Sequence, residues 1–347
     1  MATSNRSETL MRATVMRDGR LTVKDIPEPK PGPGNVLVAV IACGICGSDL
    51  HALKHVDDMT NMSDSLGIPS DMNGDVVMGH EFSARVIELG PNASGLEVGD
   101  IVVSIPLAMT GSGMMSVGYS QAFPGGYGER MVLTPAFCVK VPDGVDPRHA
   151  ALTEPMAVGV HAVAKGNMQK NEGAIVIGCG PIGLAVIAAL RLKGIEPIVA
   201  ADFSPKRRSL ATHMGAHVVV DPREEPAFDA WTRSSAGKTP VIFEAVGVPG
   251  VIDQIMRLAP RLSKIVVAGV CMLPDTIFPL VGIGKELNIQ FVLGYDPLEF
   301  GASLDAIAQE KVDLAPLLTG FVSIDQVPQA FIDLGNPELH AKIIVEP

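Results

Sequence analysis

The chain has 347 residues, 47% hydrophobic and 19% charged, a globular composition at a length that divides by default into two domains. Its net charge of −11 leaves no basic stripe to neutralise phosphates, which excludes nucleic acid and an anionic membrane surface as partners. Five cysteines are sparse and odd in number, which argues against a disulfide framework and for a reducing, cytoplasmic setting. The opening MATSNRSETLMRATV carries no apolar run of signal-peptide length, so no export is expected.

Residues 1–155 read as short strands separated by turn signals: LMRATVM (10–16), NVLVAVIACG (35–44), FSARVIELG (82–90), DIVVSI (100–105) and ERMVL (129–133). Their valines and isoleucines, frequent Gly and Pro, and little helical periodicity predict a β-rich module. KDIPEPKPGPGNV (24–36) is a proline-rich connection that cannot donate a full ladder of hydrogen bonds. The stretch 52–79, rich in Asp and Met and poor in pattern, reads as a solvated surface loop; Asp71-x-Asn73-x-Asp75 lacks the glycine and the closing glutamate of a calcium loop.

From residue 156 the texture changes to strand–helix alternation: AIVIG (174–178), a helix over 181–193, PIVAAD (197–202), a helix over 205–214, HVVVD (217–221), PVIFEAVG (240–247), a helix over 249–258 and KIVVAGV (264–270). Such alternation predicts a doubly wound parallel sheet, an α/β domain over 156–294. Residues 295–347 hold a helix, a second helical stretch and a final strand, AKIIVEP, and are expected to return to the first domain. The apolar run 174–190 is short for a membrane span and is broken by Gly-Cys-Gly-Pro, so it reads as a buried strand, a tight turn and a helix.

That turn carries chemistry. Gly178-Cys179-Gly180-Pro181-Ile182-Gly183 is G-x-G-x-x-G between a strand and a helix, and Asp202 ends the next strand 19 positions after Gly183. The first glycine makes the turn, the second admits a pyrophosphate close to the backbone, and the third lets the helix pack on the strand. The free N–H groups of the helix start then face the phosphates. Asp202 would accept both adenosine ribose hydroxyls and repel a 2′-phosphate, a preference for NAD over NADP. Lys206, Arg207 and Arg208 follow closely and could offer a phosphate partner that softens it.

CGICGSDLH (43–51) packs two of the five cysteines beside Ser48, Asp49 and His51. Three readings compete: a redox CxxC pair, half of a structural zinc knuckle, or one corner of a catalytic metal site. Downstream GHE (79–81) and TEP (153–155) favour the last. Cys46, His80 and Glu154 would supply a thiolate, an imidazole and a carboxylate, three protein ligands with a fourth position left for water or substrate. A redox pair would instead favour the start of a helix in a thioredoxin-like unit, and none precedes it.

Together, GICGSDLH, GHEFSARVIELG, GLEVGDIVV, GGYGERMVL, EPMAVGVHA, IGCGPIGL, FEAVG and AKIIVEP span essentially the whole chain and resemble the zinc-dependent medium-chain dehydrogenase/reductase family of alcohol and polyol dehydrogenases. The resemblance implies a GroES-like β-rich catalytic domain beside a Rossmann NAD-binding domain, assembled as a homodimer or homotetramer acting on a small alcohol or ketone. It implies Cys46, His80 and Glu154 as zinc ligands, with Glu81 as a neighbour able to support or briefly replace one. Asp49 would orient the metal-bound imidazole, and Ser48 and His51 would carry the substrate proton to solvent. At the cofactor, Lys342 would reach the pyrophosphate, and Val246, Gly269 and Leu293 would line the adenosine and nicotinamide ends.

Two departures narrow this. Residues 81–137 contain no cysteine, where many relatives carry a four-cysteine lobe, so one zinc per chain is expected and no structural zinc. Polyol-type relatives place an arginine where Gly294 stands here. The Met-rich 105–119 and the methionines of 52–79 suggest instead a bulky, apolar secondary alcohol. Alternatives outside this reading are a polyol dehydrogenase, a zinc-free quinone or enoyl reductase, and a non-catalytic NAD-binding scaffold.

Overall fold

The computed structural model describes residues 9–65, 67, 70–111 and 113–347. The chain divides into two compact units, one formed by 1–152, 320–333 and 343–347 and the other by 153–319 and 334–342. Among the described residues no helix is long and apolar enough to cross a membrane.

The first unit is β-rich. Its main sheet runs Leu318–Val322, Lys342–Val345, Val36–Gly44, Glu81–Leu89, Ile101–Ser104, Cys138–Lys140, with Arg130–Leu133 also pairing with Val36–Gly44. Val36–Gly44 is buried along most of its length, as its unbroken apolar run requires, and it takes antiparallel partners on both sides. One detail of register sets up the site: Gly44 pairs with Glu81 and Cys43 with Phe82. Cys46, two residues beyond the end of one strand, is thereby delivered beside His80, the residue before the other.

The stretch 52–79 differs from the expected loop, because Val56–Ser65 is a helix. Asp57 and Asp58 sit in its first turn, where the helix dipole favours negative charge, and Met59 is buried. Segment 105–119 folds into a hairpin of Leu107–Thr110 and Gly113–Ser116.

The second unit carries six parallel strands in the order Val218–Val220, Ile198–Ala201, Glu172–Ile177, Thr239–Glu244, Lys264–Val267, Asn288–Phe291. The order reverses between Glu172–Ile177 and Thr239–Glu244, which opens a crevice at the carboxyl ends of those two strands. Helices Pro181–Leu192, Pro205–His213 and Val251–Leu258 fall where the alternation predicts them. A further helix, Ala227–Ser234, buries Trp231 against Ile175, Val199 and Ile242. The return of the chain is shorter than 295–347. Helix Pro297–Ala308 stays with the second unit because it buries Phe300, Leu304 and Ile307 and its Glu299 pairs with His161 at 2.7 Å.

Candidate metal centre and dinucleotide-binding turn

Ligand atoms of Cys46, His80 and Glu81 all lie within 4.8 Å of one another. The local chain explains how. Past Gly44 the backbone turns into the short helix Gly47–Ala52, whose start is fixed by the Cys46 N–H donating to Asp49 Oδ2 at 3.1 Å. Just before the facing strand Gly79 adopts φ +101°, a conformation L side chains avoid, and a Cβ there would meet the Tyr127 ring and the Cys43 sulfur. His80 and Glu81 are both buried.

Behind the cluster lies Asp49, fully buried. Its Oδ1 stands 3.4 Å from His80 Nδ1 and accepts the Tyr119 hydroxyl at 2.8 Å, while Oδ2 accepts the Tyr127 hydroxyl at 2.6 Å. Burial opposes charge on both partners, yet their mutual attraction prevails: the Asp49 carboxyl is held below its ordinary range and the His80 imidazole well above its own. Burial and the charge of Asp49 push both tyrosine hydroxyls upward, so they remain neutral donors.

The donor set fits a zinc ion. It offers a thiolate, an imidazole and a carboxylate, and with Nδ1 facing Asp49 the imidazole keeps Nε2 for a metal. Glu154 is not a member of this group; it stands in the first turn of helix Thr153–Lys165, in the second unit. The carboxylate gathered with Cys46 and His80 is therefore that of Glu81, the residue expected only as a supporting neighbour. Cys43 is fully buried, and a Cβ on Gly126 would stand 2.5 Å from its sulfur, so it fills space where Gly79 and Gly126 leave room.

Ser48 Oγ lies 3.0 Å from the Tyr119 hydroxyl. The His51 imidazole is pushed down by partial burial and by the neighbouring His55 and Lys54 charges, which favours its neutral, proton-accepting form. Tyr119 and Tyr127 escaped sequence reasoning, although GGYGERMVL carries one and the Met-rich 105–119 ends on the other. Met59, Met72 and Met78 are closed in the core, whereas Met109 and Met114 of the hairpin are exposed.

In the second unit Gly178 takes φ +92°, and helix Pro181–Leu192 starts from Gly180 with proline in its first turn. Ile182 follows within that turn. A Cβ on Gly183 would overlap the Gly178 carbonyl oxygen, which is the close helix–strand approach the motif requires. Asp202 Oδ2 accepts the Cys179 N–H and Oδ1 the Ser204 N–H, each at 2.8 Å. Lys206 donates to the Leu339 carbonyl and Arg208 to Asp221 and two carbonyls. Arg207 instead brings Nη1 to 4.0 Å from where a Gly180 Cβ would stand.

Glu244, which sequence reasoning did not single out within FEAVG, ties the neighbouring loops together. Its Oε1 accepts the Val246 and Gly247 N–H groups at 2.7 and 2.8 Å, and its carbonyl accepts those of Ala268 and Gly269 at 2.9 and 3.0 Å. Val246 and Gly269 are thus brought to one place. Leu293 is exposed just past the edge strand Asn288–Phe291, and Lys342 is buried at the start of the last strand.

Residues 32–143 match the alcohol dehydrogenase GroES-like domain and residues 181–309 the zinc-binding dehydrogenase domain. A (R,R)-butanediol dehydrogenase of Bacillus subtilis is 31% identical over 94% of this chain and 96% of its own length. The crystal structure of 2R,3R-butanediol dehydrogenase from that organism superposes with a TM-score of 0.83 at 31% identity, covering 97% of this chain and 99% of the other. A zinc-binding dehydrogenase of Sinorhizobium meliloti, solved with NADP bound, gives 0.82 at 25% identity, over 98% of this chain and 100% of the other. The chain belongs to the zinc-dependent medium-chain dehydrogenase/reductase family, with its GroES-like and Rossmann-type domains. It is an oxidoreductase of the alcohol dehydrogenase class, built for zinc and a nicotinamide cofactor.

Proposed function

We propose that this enzyme interconverts a secondary alcohol and its ketone by hydride transfer, with NAD preferred over NADP and one zinc per chain. The Cys46–His80–Glu81 cluster backed by Asp49 carries the reading. Cys46 and His80 hold the metal, Glu81 stands beside it, and Glu154 remains the third ligand that the family pattern assigns. Bound zinc supplies Lewis-acid polarisation of the substrate oxygen, and the nicotinamide supplies the hydride acceptor. Asp49 fixes the tautomer and orientation of His80. Ser48 receives the alcohol proton and His51, held neutral near pH 7, passes it to solvent.

Gly178, Gly180, Pro181, Ile182 and Gly183 would cradle the pyrophosphate of the cofactor, and Lys342 would reach the same group. Asp202 and Arg207 would flank the adenosine ribose, and Val246, Gly269 and Leu293 would line the rest of the cofactor. A carboxylate at Asp202 supports NAD, since it would face the extra phosphate of NADP with like charge. Phe291 and Leu293 are exposed at the free edge of the parallel sheet, and Leu280 and Ile283 are exposed on helix Pro279–Lys285. An apolar sheet edge of this kind supports a homo-oligomer formed by pairing of edges.

The preferred substrate is a bulky apolar secondary alcohol, a reading supported by the exposed Met109 and Met114 and the half-buried Met62 and Met115, since Met59, Met72 and Met78 are closed in the core. A vicinal diol is the second reading, favoured by the diol named for the Bacillus relative and by the hydroxyls of Ser48 and Tyr119. A screen of NAD⁺ reduction across linear, cyclic and vicinal-diol secondary alcohols, on protein whose zinc content is measured, tests both. Turnover without zinc, or none with any secondary alcohol, would sink the assignment.

A further inference from the structure

The Tyr119 hydroxyl meets two residues of the proposed machinery at once, and counting its protons gives it a direction. Tyr119 has one hydrogen to donate. Asp49 is a carboxylate that only accepts, so the 2.8 Å contact takes that hydrogen. The 3.0 Å contact with Ser48 must then run the other way, from the serine hydroxyl to the tyrosine oxygen. Ser48 is left with its lone pairs turned outward and its hydrogen tied back.

We infer that Tyr119 is a positioning residue that holds the resting Ser48 hydroxyl with its lone pairs towards the alcohol. As the alcohol proton arrives, the serine releases its own hydrogen from Tyr119 into the path that ends at His51, so one proton enters and one leaves. Tyr119 itself moves no proton. The inference rests on the proposed role of Ser48 and adds to it the group that aims that serine. The placement is rigid. Asp71 N–H donates to the Tyr119 carbonyl at 3.1 Å, Gly118 N–H to the Phe123 carbonyl at 3.0 Å, and Val117 N–H to the Pro106 carbonyl at 2.9 Å. The Tyr119 ring lies 5.3 Å from the His80 ring, so a phenylalanine would keep the packing and lose only the hydroxyl. Asp49 would still accept from Tyr127 and from the Cys46 N–H.

The test is a double-mutant cycle of Tyr119→Phe and Ser48→Ala, with zinc content and melting midpoint measured on every variant. Tyr119→Phe is expected to keep its zinc and its KM for NAD⁺, and to lower kcat for alcohol oxidation by about three- to tenfold, the worth of one hydrogen bond. In the Ser48→Ala background the same change should do almost nothing further, since there is no serine left to aim. An additive loss in the double variant, an unchanged kcat in Tyr119→Phe, or loss of zinc from Tyr119→Phe would each overturn the inference while leaving the dehydrogenase reading intact. If Ser48→Ala alone retains full turnover, the role of Ser48 itself fails, and the inference with it.

Discussion

Asp49 offers the sharpest test of how the metal centre is supported. It is fully buried and serves three donors, Tyr119, Tyr127 and the Cys46 N–H, besides facing His80. In Asp49→Ala all three donors lose their acceptor in a closed site, and the His80 imidazole loses its counter-charge. Removing one partner from a buried charged network costs about 3–5 kcal/mol, and loss of the group behind a metal-bound imidazole costs about 10–100-fold in metal affinity. Asp49→Asn separates the two effects. One amide oxygen can still serve either the Tyr119 side or the Tyr127 side, so the fold should suffer roughly half as much, while the charge facing His80 is gone. Zinc affinity by competition with a chromophoric ligand, and thermal unfolding in excess zinc, read these separately. Zinc affinity equal to wild type in Asp49→Asn would refute the idea that this carboxylate orients His80.

Cys46→Ala is expected to lose zinc and turnover together, whereas Cys43→Ala should retain both at a cost of about 1–2 kcal/mol for the space left between Gly79 and Gly126; equal loss of activity from both would favour a redox pair. Asp202→Ser should narrow the preference for NAD⁺ over NADP⁺ by about tenfold or more in kcat/KM, and a wild type that already prefers NADP⁺ would assign control to Arg207 instead. Gly183→Ala forces a methyl into the Gly178 carbonyl, so NAD⁺ affinity measured by fluorescence titration should fall while zinc content holds; unchanged affinity would disconnect this turn from the cofactor.

Much of this was legible in the sequence because it is local. The six residues of the glycine turn and the alternation of apolar strands with helices fix their own geometry, and Gly178 takes its positive φ and Gly183 its close approach to the strand. Helix Val56–Ser65 was not legible, since three aspartates, two methionines and scattered polar residues give neither a clear apolar stripe nor a cap. Ala227–Ser234 is short and shows its role only once Trp231 is seen against the sheet. The polar network around Asp49 was out of reach for a different reason. Tyr119 and Tyr127 lie 70 and 78 residues away from it, and no period or spacing links hydroxyl to carboxylate over that separation. The grouping of Glu81 with Cys46 and His80 likewise follows from the pairing of Gly44 with Glu81, a matter of strand register.

The hairpin of Leu107–Thr110 and Gly113–Ser116 lies in the cysteine-free stretch 81–137, and ordinary hydrogen bonds tether it. Thr134 Oγ1 donates to Asn35 Oδ1 at 2.6 Å and accepts the Met109 N–H at 2.8 Å, while Asn35 Nδ2 reaches the Met109 carbonyl at 3.3 Å. Amides and hydroxyls do not respond to peroxide as a cluster of thiolates does. Oxidation of Cys46 would therefore cost the enzyme a metal ligand while leaving these tethers untouched, and it is reversible by reduction only at the sulfenic stage.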